Sequence, residues 1–491
     1  MRHLLQLATM LAASVAVITP ARSATDLAPP VFYQTGDVQE GVAIADLDGD
    51  GDNDLAVIHR DGTLRTLANL GAGTFAPAVD HGVLWPSGTA CEIETADVDR
   101  DGDQDLLVAF TTVYGSISVV RNRGNGTFDP PENYDTCYST QMLVAADFNG
   151  DKRVDLAGDS VCFQATIMLN NGDGTFRHNG DYGRGYTPGG IDAGDLDGDG
   201  DLEVAFGNGT SDVTILPGNG DGTFAPHGGQ AVHHNPRGVK MADFDADGDV
   251  DIVTSNTYTN FISFLRNDGT GVFPPPEDHF PGFGTFNLDI ADFNRDGDID
   301  LLVANRDNDH ISILINPGDA NFTERHDEPA GNGPEDVAAG DLDGDALPDV
   351  AVTHWDSSRV AIYLNTTPVT PDGDGDGVRD ADDCAPANAS AWQPPGSLGD
   401  LLLDGALTTR LSWSAPETPG AHAPTFDVLR SADPADFTAA TCVESGGSDH
   451  IALDATTPVA LLSFLVRVRN ACGGNAGSHS DGTPRLAVGC P

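Results

Sequence analysis

The chain has 491 residues and sets 76 acidic against 24 basic side chains, a formal net charge of -52, with only two lysines, Lys152 and Lys240. Such a balance, with no basic stripe, excludes nucleic acid as a partner, and an anionic bilayer would repel it. With 58 Gly, 31 Pro and no long helical period after the first twenty residues, it reads as a turn-rich all-β chain long enough for more than one domain.

The N-terminus has the form of a secretory signal. Arg2 and His3 precede an apolar stretch from Leu4 to Ile18, and Ala21-Arg22-Ser23 offers a small-x-small cleavage site. Cleavage is expected before Ala24, making residues 1–23 a signal peptide and the protein secreted, extracellular or periplasmic. A membrane anchor is the rival reading, but the apolar run is about 15 residues, short of the roughly 20 that span a bilayer. No membrane insertion is expected.

From residue 46 onward one acidic pattern returns seven times, Asp-x-Asp/Asn-x-Asp, usually then Gly, with a carboxylate at the ninth position. The first copy is Asp46, Asp48, Asp50, Gly51, Asp52 and Asp54, and the second Asp97, Asp99, Asp101, Asp103 and Asp105. The third, Asp147, Asn149, Asp151 and Asp155, has Lys152 in place of the Gly; the fourth, Asp195, Asp197, Asp199 and Asp201, ends in the longer Glu203. Asp243, Asp245, Asp247, Asp249 and Asp251 form the fifth, and Asp292, Asn294, Asp296, Asp298 and Asp300 the sixth. The seventh is Asp341, Asp343, Asp345 and Asp349, with Ala346 at the Gly position. These loops and the stretch 372–383 hold 37 of the 76 acidic residues, so the charge is concentrated where a cation could use it.

Around each loop the pattern is that of strands. In the first copy Gly41–Ala45 alternates into the loop, Leu55–Ile58 leaves it, a third strand covers 64–68, and Asn69-x-Gly71-x-Gly73-x-Phe75 makes a tight turn into an outer strand. The turn recurs at Phe128, Phe176, Phe224, Phe273 and, in broken form, Phe322, and is read as architectural. Four strands repeated seven times predict a seven-bladed β-propeller. The seventh repeat stops after its third strand, while an orphan strand, Val31-Phe32-Tyr33-Gln34, precedes the first. That strand is expected to complete blade seven and close the ring.

Ca²⁺ takes six to eight oxygens, which side chains at positions 1, 3, 5 and 9 and a carbonyl at 7 can supply. An EF-hand would need a bidentate Glu at position 12, where the first two copies have Val57 and Val108 inside apolar strands. Seven clusters of carboxylates without a cation would repel themselves. At about 10⁻⁴ to 10⁻³ M affinity, each site adds on the order of 1 to 2 kcal/mol in millimolar Ca²⁺, and seven together rival the stability of a domain.

The loop with its flanking strands resembles the FG-GAP, or VCBS, repeat of integrin alpha-chain propellers and many secreted bacterial proteins. The resemblance covers residues 31–367. It implies a seven-bladed propeller with calcium between the first two strands of each blade, the acidic residues quoted above as ligands, and commonly a role in adhesion or recognition.

Beyond the propeller, Asp372, Asp374, Asp376, Gly377, Asp380 and Asp383 with Cys384 resemble a single thrombospondin type 3 repeat, implying a calcium-binding linker over 371–386. The remainder, 396–491, has alternating strands at Leu411–Trp413, Phe426–Arg430 and Phe464–Asn470 and resembles a fibronectin type III domain, a small β-sandwich. Seven cysteines in a secreted chain imply disulfides with one thiol left over. Cys137 with Cys162 is the expected pair in blade three, with Cys91 as the competing partner; Cys442 with Cys472 is preferred in the last domain, and the pairing of Cys384 stays open.

The face opposite the acidic loops carries the more varied connections, with His59, Trp85, Tyr114, Tyr138, Tyr186, His233, His234, Tyr258, His354 and Trp355, a mixture suited to an extracellular protein or glycan ligand. His-Glu-x-x-His, Gly-x-Ser-x-Gly and phosphate-cradling patterns are lacking. A non-catalytic recognition or adhesion module is therefore expected. The alternative is an extracellular polysaccharide-active enzyme, lyase or hydrolase, for which His233, His234 and Arg237 come nearest to a site.

Overall fold

The computed structural model describes residues 25–112, 115–136, 139–160, 164–183, 188–209, 211–225, 228–355 and 357–367, and seven strands between 401 and 475. The expected signal peptide, the thrombospondin-like segment, Cys137, Cys162 and Cys472 lie outside these residues. The chain divides into two units, 1–368 and 369–491.

The first unit is a ring of seven four-stranded antiparallel sheets. Their innermost strands, blades 1 to 7 in order, are Gln39–Ala45, Thr89–Ala96, Leu143–Ala146, Pro188–Gly194, Pro236–Ala242, Thr285–Ala291 and Pro334–Gly340. Each blade's second strand is sandwiched between its neighbours: all six residues of Asp54–His59, Asp155–Ser160, Glu203–Asn208, Asp251–Asn256, Asp300–Asn305 and Asp349–His354 are buried. This is why these strands read as continuous apolar runs, whereas the outermost strands are largely exposed. Among the described residues the core falls into seven clusters, one in each seam; Ala43, Ile58 and Leu64 of blade 1, for instance, pack on Ile93, Val108 and Phe110 of blade 2.

The ring closes as expected. Val31–Gln34 pairs antiparallel with Arg359–Tyr363 in the register Val31↔Ile362 to Gln34↔Arg359, as the outermost strand of blade 7. The turn phenylalanines clamp the seams from outside. Phe75 meets Tyr33 edge-on at 5.3 Å, Phe128 meets His81 at 5.0 Å and Phe176 meets Tyr134 at 5.6 Å, each partner belonging to the outer strand of the preceding blade. In one respect the expectation fails. Phe176 starts its outer strand, but Phe75, Phe128 and Phe224 sit in isolated bridges before it.

In the second unit the described strands form two antiparallel sheets, one of Leu401–Asp404, Thr409–Trp413 and Ile451–Asp454, the other of Thr441–Gly447, Thr425–Ser431, Ser463–Asn470 and Gly473–Asn475.

Candidate metal loops and the opposite axial mouth

All seven acidic loops link a blade's first strand to its second, so they share one face of the ring. The position-one carboxylate folds each loop on itself: Asp46 accepts the N–H of Gly49 at 2.7 Å and of Gly51 at 3.0 Å, and Asp195 and Asp341 do the same. Positions four and six are both left-handed in every loop. Position six is Gly in five of them, but Lys152 and Ala346 hold φ of 65° and 66° in the other two.

Loops 1, 2 and 4 bring positions one, three and five together (Asp46, Asp48, Asp50; Asp97, Asp99, Asp101; Asp195, Asp197, Asp199). Loops 5 and 7 bring together positions one, three and nine (Asp243, Asp245, Asp251; Asp341, Asp343, Asp349). In each set the oxygens lie within 4.8 Å of one another, which is the reach of ligands about one ion at 2.3–2.6 Å. Loops 3 and 6 have an amide at position three. Asn149 donates to Asp155 at 2.9 Å and Asn294 to Asp296 at 3.0 Å, each leaving a carbonyl oxygen of the hard type calcium accepts. Ala346 at position six does not stop the seventh loop from gathering its carboxylates.

A calcium ion fits this donor set on a second ground. Asp99 Oδ1, Asp243 Oδ1 and Asp245 Oδ1 are buried and without a hydrogen-bond partner, a costly state for a carboxylate oxygen. Arg266 pairs with the other oxygen of Asp245. Burial first, and neighbouring carboxylates second, raise Asp48, Asp99 and Asp343 above the usual carboxylate range.

The ninth position has a further task. One oxygen of each of Asp54, Asp105, Asp155, Glu203, Asp251, Asp300 and Asp349 accepts the position-two N–H of its own loop at 2.7–3.2 Å. The other accepts an N–H just past the third strand at 2.6–3.1 Å. Burial pushes Asp54 and Asp105 up to about 6, Asp349 to about 7 and Asp300 to about 8.

The residue past the third strand is Asn in six blades, and its side chain is the seam clasp. Asn69, Asn122, Asn170, Asn267, Asn316 and Asn365 donate to the position-two carbonyl of the preceding blade's loop (Leu342, Leu47, Val98, Leu196, Phe244, Phe293) at 2.6–2.9 Å. In blade 4 the longer Glu203 coincides with Gly218, where an added Cβ would stand 2.4 Å from the Leu202 carbonyl. There only the backbone bond remains, from the N–H of Gly222 to Phe148 O, which blades 1 and 2 make beside the clasp, from Gly73 to Leu342 and Gly126 to Leu47. The Asn had been read only as part of a turn; its recurrence in phase with the acidic loop was the signal for this role.

The innermost strands enclose an axial channel of about 370 Å³ lined by Glu92, Glu94, Lys240, Asp289 and Asp336 among others. Here backbone and one lysine neutralise the acids. Glu92, Asp192, Asp289 and Asp336 accept N–H groups of the next blade's inner strand, from Leu143, Met241, Ala339 and Val42, at 2.6–3.0 Å. Lys240 Nζ lies 3.4 Å from Asp289. Burial opposes its ammonium, but Asp289, Asp192, Glu94 and Glu92 together hold its pKa above the ordinary lysine value.

On the face opposite the loops, the innermost strands are bulged near their starts, between 39 and 41, 90 and 92, 189 and 191, 236 and 238, 285 and 288, and 334 and 337. The bulged residues include Glu40, Cys91, Gly190, Arg237, Phe286 and Glu335. Between them runs a ladder of cations and rings. Arg237 lies 3.8 Å over Phe286, Arg306 lies 4.8 Å from Phe286 and 4.4 Å from Trp355, and Arg60 lies 4.3 Å over Trp355. Glu40 is 3.6 Å from Arg60 and Glu335 3.1 Å from Arg306; burial pushes both up to about 7 against the arginines.

Of the expected recognition residues, Trp355 belongs to this ladder. His59 and His354 are buried, with ring nitrogens on backbone carbonyls, while Tyr258 is 74% exposed. His233 pairs with Asp278 at 2.7 Å, and Tyr114, Tyr138 and Tyr186 lie outside the described residues. Among the described side chains Cys91 is a free thiol, which burial pushes up to about 12; Cys442 is described in its backbone only. Arg60, Arg306, Glu40 and Glu335 were missed, since Arg recurs after the second strand only in blades 1 and 6 and Glu at the bulge only in blades 1 and 7, too sparse a repeat to stand out.

The sequence profile of the FG-GAP-like repeat matches residues 46–108, 97–158, 164–206, 195–254, 243–303 and 292–352. No curated protein matches. A crystal structure of BBS1N in complex with ARL6DN, soaked with lead, superposes with a TM-score of 0.50 at 15% identity, covering 71% of this chain and 99% of that one. The WD40 beta propeller domain of Doa1 gives 0.46 at 13%, covering 70% and 97%. An Agrocybe aegerita lectin that recognises non-reducing terminal N-acetylglucosamine gives 0.44 at 19%, covering 66% and 87%. At these identities the likeness concerns the fold, whereas six overlapping matches of one repeat span more than half the sequence: the chain belongs to the FG-GAP-like repeat family and builds from it a seven-bladed β-propeller.

Proposed function

We propose that this is a secreted propeller whose acidic loops hold Ca²⁺ as a structural ion, and which serves as a non-catalytic recognition or adhesion module for an extracellular protein or glycan. The observation that carries the calcium reading is the convergence of three carboxylates within one ion's span in five of the seven loops. Bound calcium would supply the positive charge these loops lack. The chain's own part is to fix the loop backbone, through the left-handed positions four and six and the asparagine clasp from the next blade, so that neutralising a loop also stiffens a seam. Recognition is supported by the varied face opposite, where aromatic and arginine side chains of several blades meet. The segment from Asp372 to Asp383 extends the calcium reading as a thrombospondin type 3-like linker, and the two C-terminal sheets agree with a fibronectin type III-like sandwich.

Calcium titration of metal-free protein, read by calorimetry and melting temperature, tests the first part: several sites and a rise in melting temperature are expected, and the absence of both would sink it. A glycan array with a polysaccharide-degradation assay, with and without chelator, tests the second. Intact bound ligand is expected, whereas release of sugar products would replace this reading with the enzyme alternative.

A further inference from the structure

We propose that the axial mouth opposite the acidic loops is a binding site for a uronate, a sugar bearing a carboxylate, with Arg60, Arg237 and Arg306 receiving the carboxylate and Glu40 and Glu335 accepting from its hydroxyls. The inference rests on the recognition reading and adds the ligand class and the place.

Three observations carry it. First, the arginines come from blades 1, 5 and 6 and are held in one ladder by Phe286 and Trp355. Guanidiniums so stacked give their faces to the rings and keep the edge N–H groups, apart from those that Arg60 and Arg306 turn toward Glu40 and Glu335, for planar, two-pronged contact with a carboxylate. Second, none of the three side chains donates a hydrogen bond to a protein acceptor among the described residues, although most arginines on the rim do, such as Arg121 to Glu132 and Arg123 to Asp129. Arg237 has no ion pair among the described residues at all. Such a group of donors in a chain of net charge -52 is the feature an anionic ligand needs to overcome the surrounding field. Third, the strand bulges near one level in six blades bring Glu40, Arg237, Phe286 and Glu335 to the mouth, and bulges characteristically re-aim side chains at sites.

The acids decide between anions. Glu40 and Glu335 are buried beside the arginines, so a ligand presenting only carboxylates, such as an acidic peptide, meets repulsion, whereas a sugar acid offers hydroxyl donors to the same acceptors. Arg60 also lines a cleft of about 480 Å³, with Asp37, Asp61, Ser87 and Thr89 in its wall, within the usual size of a small-ligand site.

The test is calorimetric titration of the calcium-loaded full chain with oligogalacturonate, oligoguluronate and hyaluronan oligosaccharides, against cellohexaose and oligoglutamate, all at equal free calcium. Binding of at least one uronate and neither counterpart is expected, weakening as salt is added. Arg237→Gln should weaken it about tenfold or more without lowering the melting temperature, Arg306→Lys should fall between, and Arg123→Gln on the outer turn should match the wild type. Equal binding of cellohexaose, displacement by oligoglutamate, or wild-type affinity in Arg237→Gln overturns the proposal. Failure of every uronate while another ligand on the array binds overturns it and leaves the recognition reading standing; failure of all ligands removes both.

Discussion

At the rim, the acidic loops keep carboxylates in groups with little but backbone N–H groups to offset them, and some of their oxygens are buried without a partner. Along the axis, a smaller set of acids is offset by Lys240 and by N–H groups of the adjacent blade. On the proposed reading, the rim arrangement takes its counter-charge from solution and would respond to calcium supply. The axial one carries its counter-charge in the chain and holds the ring whatever the medium contains.

Chelation is the strongest way to break this contrast. With five loops contributing about 1 kcal/mol each, metal removal should cost on the order of 5 kcal/mol, read as a large fall in melting temperature that added Ca²⁺ reverses; an unchanged melt would erase the distinction between rim and axis. Replacing the internal cation, Lys240→Met, should cost about 2 kcal/mol by denaturant titration in saturating calcium, below the usual penalty for breaking a buried pair because the channel admits solvent. A gain in stability would mean that the axial acids are already neutral. Asn267→Ala removes four hydrogen bonds, two donated, one of them to Leu196 in the fourth acidic loop, and two accepted from the N–H groups of Asp268 and Gly269, and should cost about 2 kcal/mol. Because that loop belongs to the neighbouring blade, calcium stoichiometry by equilibrium dialysis should fall by one site; full occupancy would separate the clasp from the metal. The smallest effect is a gain. Lys152→Gly and Ala346→Gly relieve a left-handed residue where the equivalent glycines of loops 1, 2, 4, 5 and 6 face open space, adding about 1 kcal/mol each in thermal melts.

The same contrast explains what could be read from the sequence. The rim repeats one chemistry seven times, so period, blade count and the closing strand at Val31–Gln34 were all legible. The axial mouth repeats a backbone event, the bulge, with five residue types in six blades: Glu40, Cys91, Gly190, Arg237, Phe286, Glu335. Periodicity does not reveal residues that recur in at most two of seven blades and become adjacent only when the ring closes. The ninth acidic position shows a third case, in which the residue was legible but its bonds to two backbone N–H groups, in addition to any ligand role, were not.

The first strand of the ring waits for its partner. Thr35 bonds to Ser358 across 323 residues, so successive blades can stack as they are synthesised while one joint stays open until the stretch Arg359–Tyr363 exists. A chain halted before that point keeps the inner contacts of blades 7 and 1, such as Val42 to Asp336, but leaves two unsatisfied strand edges, those of Val31–Gln34 and Asp349–His354, and the natural mate for each edge would be the opposite edge of another copy. Premature termination here would therefore produce end-to-end polymers rather than a shortened monomer.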